Sequence, residues 1–277
     1  MLQRFGNALL HYQEVGSGRP ILMLHGWPLD HLSMIGAMEP IFAHRDNWKR
    51  IYVDLPGMGK SESPDWVRTQ DQILGVLTEF ILNVISDERF CVVGLSYGGL
   101  LAQGLIHRFA PQMDGVMFLV PSTASIDESM LPRNVAMHKE PLDFSGLTDE
   151  MVRAFEGMAV VQMQAHLEAW KKYIFPGTSA ANHAFLDRLQ AGFPLDVEQL
   201  PQPFVAPTLF LLGRQDVSVG YRDAWRIIES YPHASYVILD RAGHCLQMEQ
   251  PRLYDALVHE WLDRVEEFAV KNVNTPS

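Results

Sequence analysis

The chain has 277 residues, enough for one large α/β domain or a domain carrying an insertion, and its 47% apolar and 20% charged content excludes a disordered protein. A formal net charge of −11, with no basic run, argues against nucleic acid or an anionic membrane surface as partner. No stretch of about 18 apolar residues offers a membrane span, and the opening Met1 to Asn7 lacks the apolar core of a secretory signal, so the expected location is the cytoplasm. With only Cys91 and Cys245 present, no disulfide framework is expected, and the absence of a His-Glu-x-x-His pattern or paired cysteines leaves no metal or other cofactor expected. Nothing in the sequence sets the oligomeric state.

In chain order, Asn7 to Val15 reads as extended and ends at the turn Gly16-Ser17-Gly18. Pro20 to Leu24 is an apolar run suited to a buried strand, and it leads into His25-Gly26-Trp27-Pro28-Leu29-Asp30. A second short strand, Arg50 to Val53, precedes Asp54-Leu55-Pro56-Gly57-Met58-Gly59-Lys60-Ser61. That stretch lacks the full glycine pattern of a phosphate loop and reads as a structural turn in which Asp54 and Ser61 bond loop backbone. Helical spacing covers Gln70 to Ile85.

Cys91 to Val93 reads as a buried strand that stops at Gly94-Leu95-Ser96-Tyr97-Gly98, and helical spacing begins at once in Leu100, Leu101, Leu105 and Phe109. A serine between glycines at a strand-to-helix turn is exposed and strained, which suits a nucleophile. After a strand at Gly115 to Val120 the character changes. From Pro121 to about Pro207 no strand is expected. Thr148 caps a helical run reaching Trp170 and Tyr173, and a second helix covers Ala180 to Ala191.

The sheet resumes at Thr208 to Leu212, and Asp216 lies just past that strand, where function collects in open α/β sheets. A helix is expected over Tyr221 to Ser230 and a strand over Tyr236 to Leu239, with His244 just beyond it. An amphipathic helix from Pro251 to about Phe268 and a frayed tail, Asn272 to Ser277, close the chain.

A serine at a strand-helix elbow, an acid after a later strand and a histidine after the last strand follow the order Ser…Asp…His. With Leu24-His25-Gly26-Trp27-Pro28, the Asp54 to Ser61 turn, Gly94 to Gly99, Gly213 to Asp216 and Ala242-Gly243-His244 in that sequence, the chain resembles the α/β-hydrolases. The resemblance implies an α/β-hydrolase fold: a mostly parallel central sheet flanked by helices, with residues 1–121 and 207–277 as core and 122–206 as an inserted helical cap. It also implies roles. Ser96 would be the nucleophile, His244 the general base and Asp216 its orienting acid, while the backbone N–H groups of Tyr97 and Trp27 would form the oxyanion hole. Asp240 is the nearest rival acid, but it precedes His244 by only four residues on the same segment.

The expected reaction is cleavage of a small-molecule carboxylic ester or lactone. Five of the thirteen methionines (Met130, Met137, Met151, Met158 and Met163) fall in the inserted block, and adaptable methionines suit a bulky apolar substrate, such as a macrocyclic lactone, with Met130, Met158 and Met163 as candidate substrate contacts. Ordinary packing of the block is the competing explanation. The alternatives are a perhydrolase or arylesterase, which the His25 to Leu29 loop resembles, and a carbon-carbon bond hydrolase, although Leu95 stands where those relatives usually carry asparagine. Since fold does not fix function, a non-catalytic small-molecule receptor is the reading from a different class.

Overall fold

A computed structural model describes residues 1–273 other than 125, 193, 194, 196 and 198. In chain order the strands are β1 (Leu2–Phe5), β2 (Ala8–Val15), β3 (Arg19–Leu24), β4 (Trp48–Val53), β5 (Phe90–Leu95), β6 (Met113–Leu119), β7 (His138–Lys139), β8 (Val161–Gln162), β9 (Thr208–Gly213) and β10 (Ala234–Leu239). The helices are α1 (His31–Phe42), α2 (Gln70–Val84), α3 (Tyr97–Phe109), α4 (Asp149–Met158), α5 (Gln164–Tyr173), α6 (Phe175–Ala180), α7 (His183–Gln190), α8 (Leu246–Glu249) and α9 (Pro251–Val273).

Alternation along the central strands decides the layers. Leu22, Leu24, Ile51, Val53 and Val92 face one side with α2 and α3, whereas Ile21, Met23, Tyr52, Cys91 and Val93 face the other with α1 and α9. Both faces are covered, which is why these strands read as unbroken apolar runs. Eight strands form the main sheet in the order β1-β2-β4-β3-β5-β6-β9-β10. The pairings from β4 through β10 are parallel, and only β1 and β2 join antiparallel. The fold is thus the expected one, a mostly parallel sheet flanked by helices.

The segment between β6 and β9 departs from the expectation in two ways. Strands β7 and β8 pair with each other where none was predicted, and the single helix predicted from Thr148 to Tyr173 is split into α4 and α5. The split has a tertiary cause: Ala159 turns extended, and the β-branched pair Val160-Val161 gives its N–H groups to the Glu249 carboxylate instead of to a helix ladder. The second predicted helix, Ala180 to Ala191, likewise falls into α6 and α7, because Asn182 leaves the helix to cap the Phe185 N–H.

Helix α1 had no counterpart in the sequence reading, although Asp30 caps the Leu32 N–H and Met34, Ala37, Met38 and Ile41 give the buried spacing of a helix. Pro40 in its last turn hides the signal. The helix predicted at Tyr221 to Ser230 is a 3₁₀ segment over Asp223–Ser230. Of the predicted frayed tail, residues 274–277 lie outside the described residues. Among the described residues, no helix is long and apolar enough to cross a membrane.

Candidate active site

Strand β5 ends at Leu95 and α3 starts at Tyr97, so Ser96 alone makes the turn, at φ 53° and ψ −115°. Such a backbone is sterically costly for any residue but glycine and persists only where its surroundings enforce it. Here the Ser96 N–H donates to the Leu119 carbonyl at 2.9 Å, and the Ser96 carbonyl accepts from Gly99 at 2.8 Å and Ser122 at 3.0 Å. The helix can start this close to β3 only because position 98 is glycine. A Cβ there would fall 2.2 Å from the Leu24 carbonyl oxygen.

The three predicted polar side chains converge on that elbow. His244 Nε2 lies 3.0 Å from Ser96 Oγ, and His244 Nδ1 lies 2.9 Å from Asp216 Oδ2. The other Asp216 oxygen accepts the N–H groups of Ser218 and Val219 at 2.8 and 3.1 Å, so the carboxylate is fixed by its own loop. With Nδ1 donating to Asp216, Nε2 is left with its lone pair toward the serine hydroxyl. Burial works against the imidazolium, but the charge and hydrogen bond of Asp216, helped by the charge of Glu249, outweigh it, and His244 titrates above the usual histidine value. The rival Asp240 is exposed and accepts from Gln215 Nε2 at 2.7 Å.

Tyr97 is the first residue of α3, where helix N–H groups point out of the helix. The Trp27 ring meets the Tyr97 ring edge-on at 5.3 Å, and a Cβ at Gly26 would lie 3.2 Å from Ser96 Cβ, so the loop after β3 runs directly beside the serine. The three candidate methionines lie in different surroundings. Met158 is partly buried against the cluster of Phe155, Leu167, Trp170, Ile174 and Phe175. Met130 is 44% exposed and lines a surface depression with Ile126, Asp127, Arg222, Asp223 and Arg226, apart from the Ser96 elbow. Met163 is the residue preceding α5, and its carbonyl accepts from His166 and Leu167.

Two features escaped the sequence reading. Asp54, expected to bond loop backbone and doing so with the Lys60 N–H, also accepts from His11 Nδ1 and His31 Nδ1, both at 2.8 Å, and from the His31 N–H. The three side chains are close enough to resemble a metal-ligand set. Every acceptor direction of Asp54 is nevertheless taken by a donor, so the cluster reads as a hydrogen-bonded knot. Glu249 is the second feature, a buried carboxylate accepting backbone N–H groups from Val160 and Gly243. Only its place five residues beyond His244 could have drawn attention to it.

Residues 21–257 match the model of the alpha/beta hydrolase family. The chain belongs to the alpha/beta hydrolase family. This hydrolase is 23% identical over 262 residues to pimeloyl-[acyl-carrier protein] methyl ester esterase of Legionella pneumophila (strain Paris), covering 91% of this chain and 99% of that one. It is 24% identical over 277 residues to 2-hydroxy-6-oxo-6-(2'-aminophenyl)hexa-2,4-dienoic acid hydrolase of Metapseudomonas resinovorans, covering 95% and 91%. Among solved structures, an alpha/beta superfamily hydrolase from Oenococcus oeni PSU-1 superposes with a TM-score of 0.86 at 29% identity, over 93% of this chain and 96% of that one.

Proposed function

We propose that the protein is a serine hydrolase that cleaves a small-molecule carboxylic ester or lactone through an acyl-enzyme on Ser96. The observation that carries the reading is the chain of contacts from Ser96 Oγ through His244 to Asp216, at 3.0 and 2.9 Å, built on a strained elbow. The similarity to an enzyme named as a methyl ester esterase supports ester as the bond class.

In this reading Ser96 Oγ attacks the substrate carbonyl carbon while its proton passes to His244 Nε2. Asp216 stabilises the resulting imidazolium. The carbonyl oxygen, now an oxyanion, is held by the N–H groups of Tyr97 and Trp27. Collapse breaks the bond to the leaving oxygen, which takes the proton back from His244. Water then repeats the sequence on the acyl-enzyme, giving the acid and restoring the serine.

We take residues 122–206 as a cap on a core of 1–121 and 207–277. Three close approaches support this: a Cβ at Gly177 would lie 2.6 Å from the Asp30 nitrogen, one at Gly57 would lie 2.2 Å from the Phe185 ring, and one at Gly243 would lie 2.8 Å from Val160 Cγ2. Each joins the segment to a loop at the carboxyl end of the sheet. Ser96 is only 8% exposed. The test compares kcat/KM for short-chain acyl esters and large cyclic lactones, with Ser96→Ala as control. Ester hydrolysis that disappears in Ser96→Ala supports the reading, whereas hydrolysis that survives it removes Ser96 as nucleophile. A preference for large lactones would make the 122–206 segment a dedicated substrate site.

A further inference from the structure

Glu249 ends α8 on the buried side, 6% exposed, and receives donors from two separate parts of the chain. Its Oε1 accepts the N–H groups of Val160 and Val161 at 2.6 and 3.3 Å, and its Oε2 accepts the Gly243 N–H at 2.5 Å. Gly243 immediately precedes His244. On its other flank the same turn is tied to the acid loop, since the Gln215 N–H donates to the Ala242 carbonyl at 2.9 Å and the Ala242 N–H donates to Gln215 Oε1 at 3.1 Å. The histidine turn is therefore clamped between the loop that carries Asp216 and the β8 segment, and Glu249 supplies the second jaw.

We propose that Glu249 is a positioning residue: its carboxylate, bonded to the Gly243 N–H beside His244, fixes the His244 turn to the Val160-Val161 segment and lends that turn a negative charge. The inference rests on the serine-hydrolase reading above. A carboxylate is the fitting group here because both oxygens face N–H donors. A protonated acid or an amide would turn a hydrogen toward at least one of them and leave a buried donor without an acceptor. Burial raises the Glu249 pKa, while the N–H groups of Gly243, Val160 and Val161, with the nearby His166, work against that rise. His244, Cys245 and His166 are titratable groups that interact with its charge. Of these, His244 belongs to the proposed reaction, so removing the Glu249 charge must be felt there.

The test uses Glu249→Gln and Glu249→Asp in the full chain, with two readouts. One is the pH profile of ester hydrolysis resolved into kcat and KM; the other is titration of the His244 imidazole by NMR, assigned with a His244→Gln sample. In E249Q the loss of a negative charge should move the His244 titration and the acid limb of kcat/KM together to lower pH. Misplacement of the turn should lower kcat about ten- to hundredfold while KM changes little. In E249D the charge remains but the shorter side chain cannot span both partners, so kcat falls with the titration near its wild-type position. A kcat within about twofold of wild type in both variants overturns the positioning role, and an unmoved His244 titration in E249Q overturns the electrostatic one. If E249Q does not accumulate as folded protein, E249D carries the positioning test by the same kcat and KM comparison. The NMR titration needs no turnover, so retention of hydrolysis in Ser96→Ala would sink the hydrolase reading without being mistaken for a failure of Glu249.

Discussion

His244 is the residue at which geometry and protonation meet. Its desolvation favours the neutral ring, yet Asp216 and then Glu249 stabilise the cation more, so the proton is held to higher pH than on an ordinary histidine. In the proposed mechanism only the neutral ring accepts the serine proton. Activity is therefore expected to fall as pH drops through the raised value, with the acid limb of kcat/KM above about 6.5, the unperturbed histidine value. An acid limb below that value in a pH-rate profile would contradict the assignment. Asp216→Asn removes the charge that raises the pKa and the acceptor that selects the tautomer. It is expected to shift the acid limb downward and to lower kcat by about 10⁴-fold, while leaving the Ser218 and Val219 turn folded.

At the scale of elements, the Asp54 knot joins three of them: β2 through His11, the start of α1 through His31, and the turn after β4 through Lys60. Burial alone would raise the Asp54 pKa, but the His31 hydrogen bond, the neighbouring imidazoles and the Lys60 N–H outweigh it and hold the carboxyl far below its usual range. A depressed carboxyl pKa contributes stability that is present above the unfolded value near 3.9 and lost as pH falls below it. Asp54→Asn should therefore cost about 3 kcal/mol in unfolding at pH 7, with the gap to wild type closing as the pH is lowered past about 4. Urea titrations at several pH values measure this, and a pH-independent gap would count against it. The knot also shows where legibility stopped. Ser96, Asp216 and His244 could be read because each lies just past an apolar run, at or shortly after a strand end. His11 and His31 close nothing: one sits mid-strand and the other opens a helix concealed by Pro40, so their meeting at Asp54 depends on tertiary pairing of β2 with β4. Glu249 and the split of α4 from α5 were hidden for the same reason, since the N–H groups of Val160 and Val161 are satisfied by a residue 88 or more positions away.

At the scale of the whole molecule, the sheet separates two apolar layers, and the 122–206 segment adds a third cluster around Phe155, Trp170 and Phe175. Each cysteine belongs to a different one of these. Cys91 lies at the centre of the α1 and α9 layer, whereas Cys245, next to His244, belongs to the third cluster. Both thiols are buried with their pKa values pushed up, so neither reacts until its surroundings open. The molecule thereby carries two built-in clocks. If the 122–206 segment lifts from the sheet during turnover, Cys245 should be alkylated under native conditions at a rate set by that lifting, while Cys91 waits for global unfolding. Mass-spectrometric timing of the two modifications, with and without an ester bound, would convert a static layer into an opening frequency. Equal rates at both thiols would mean that the segment and the sheet open only as one unit.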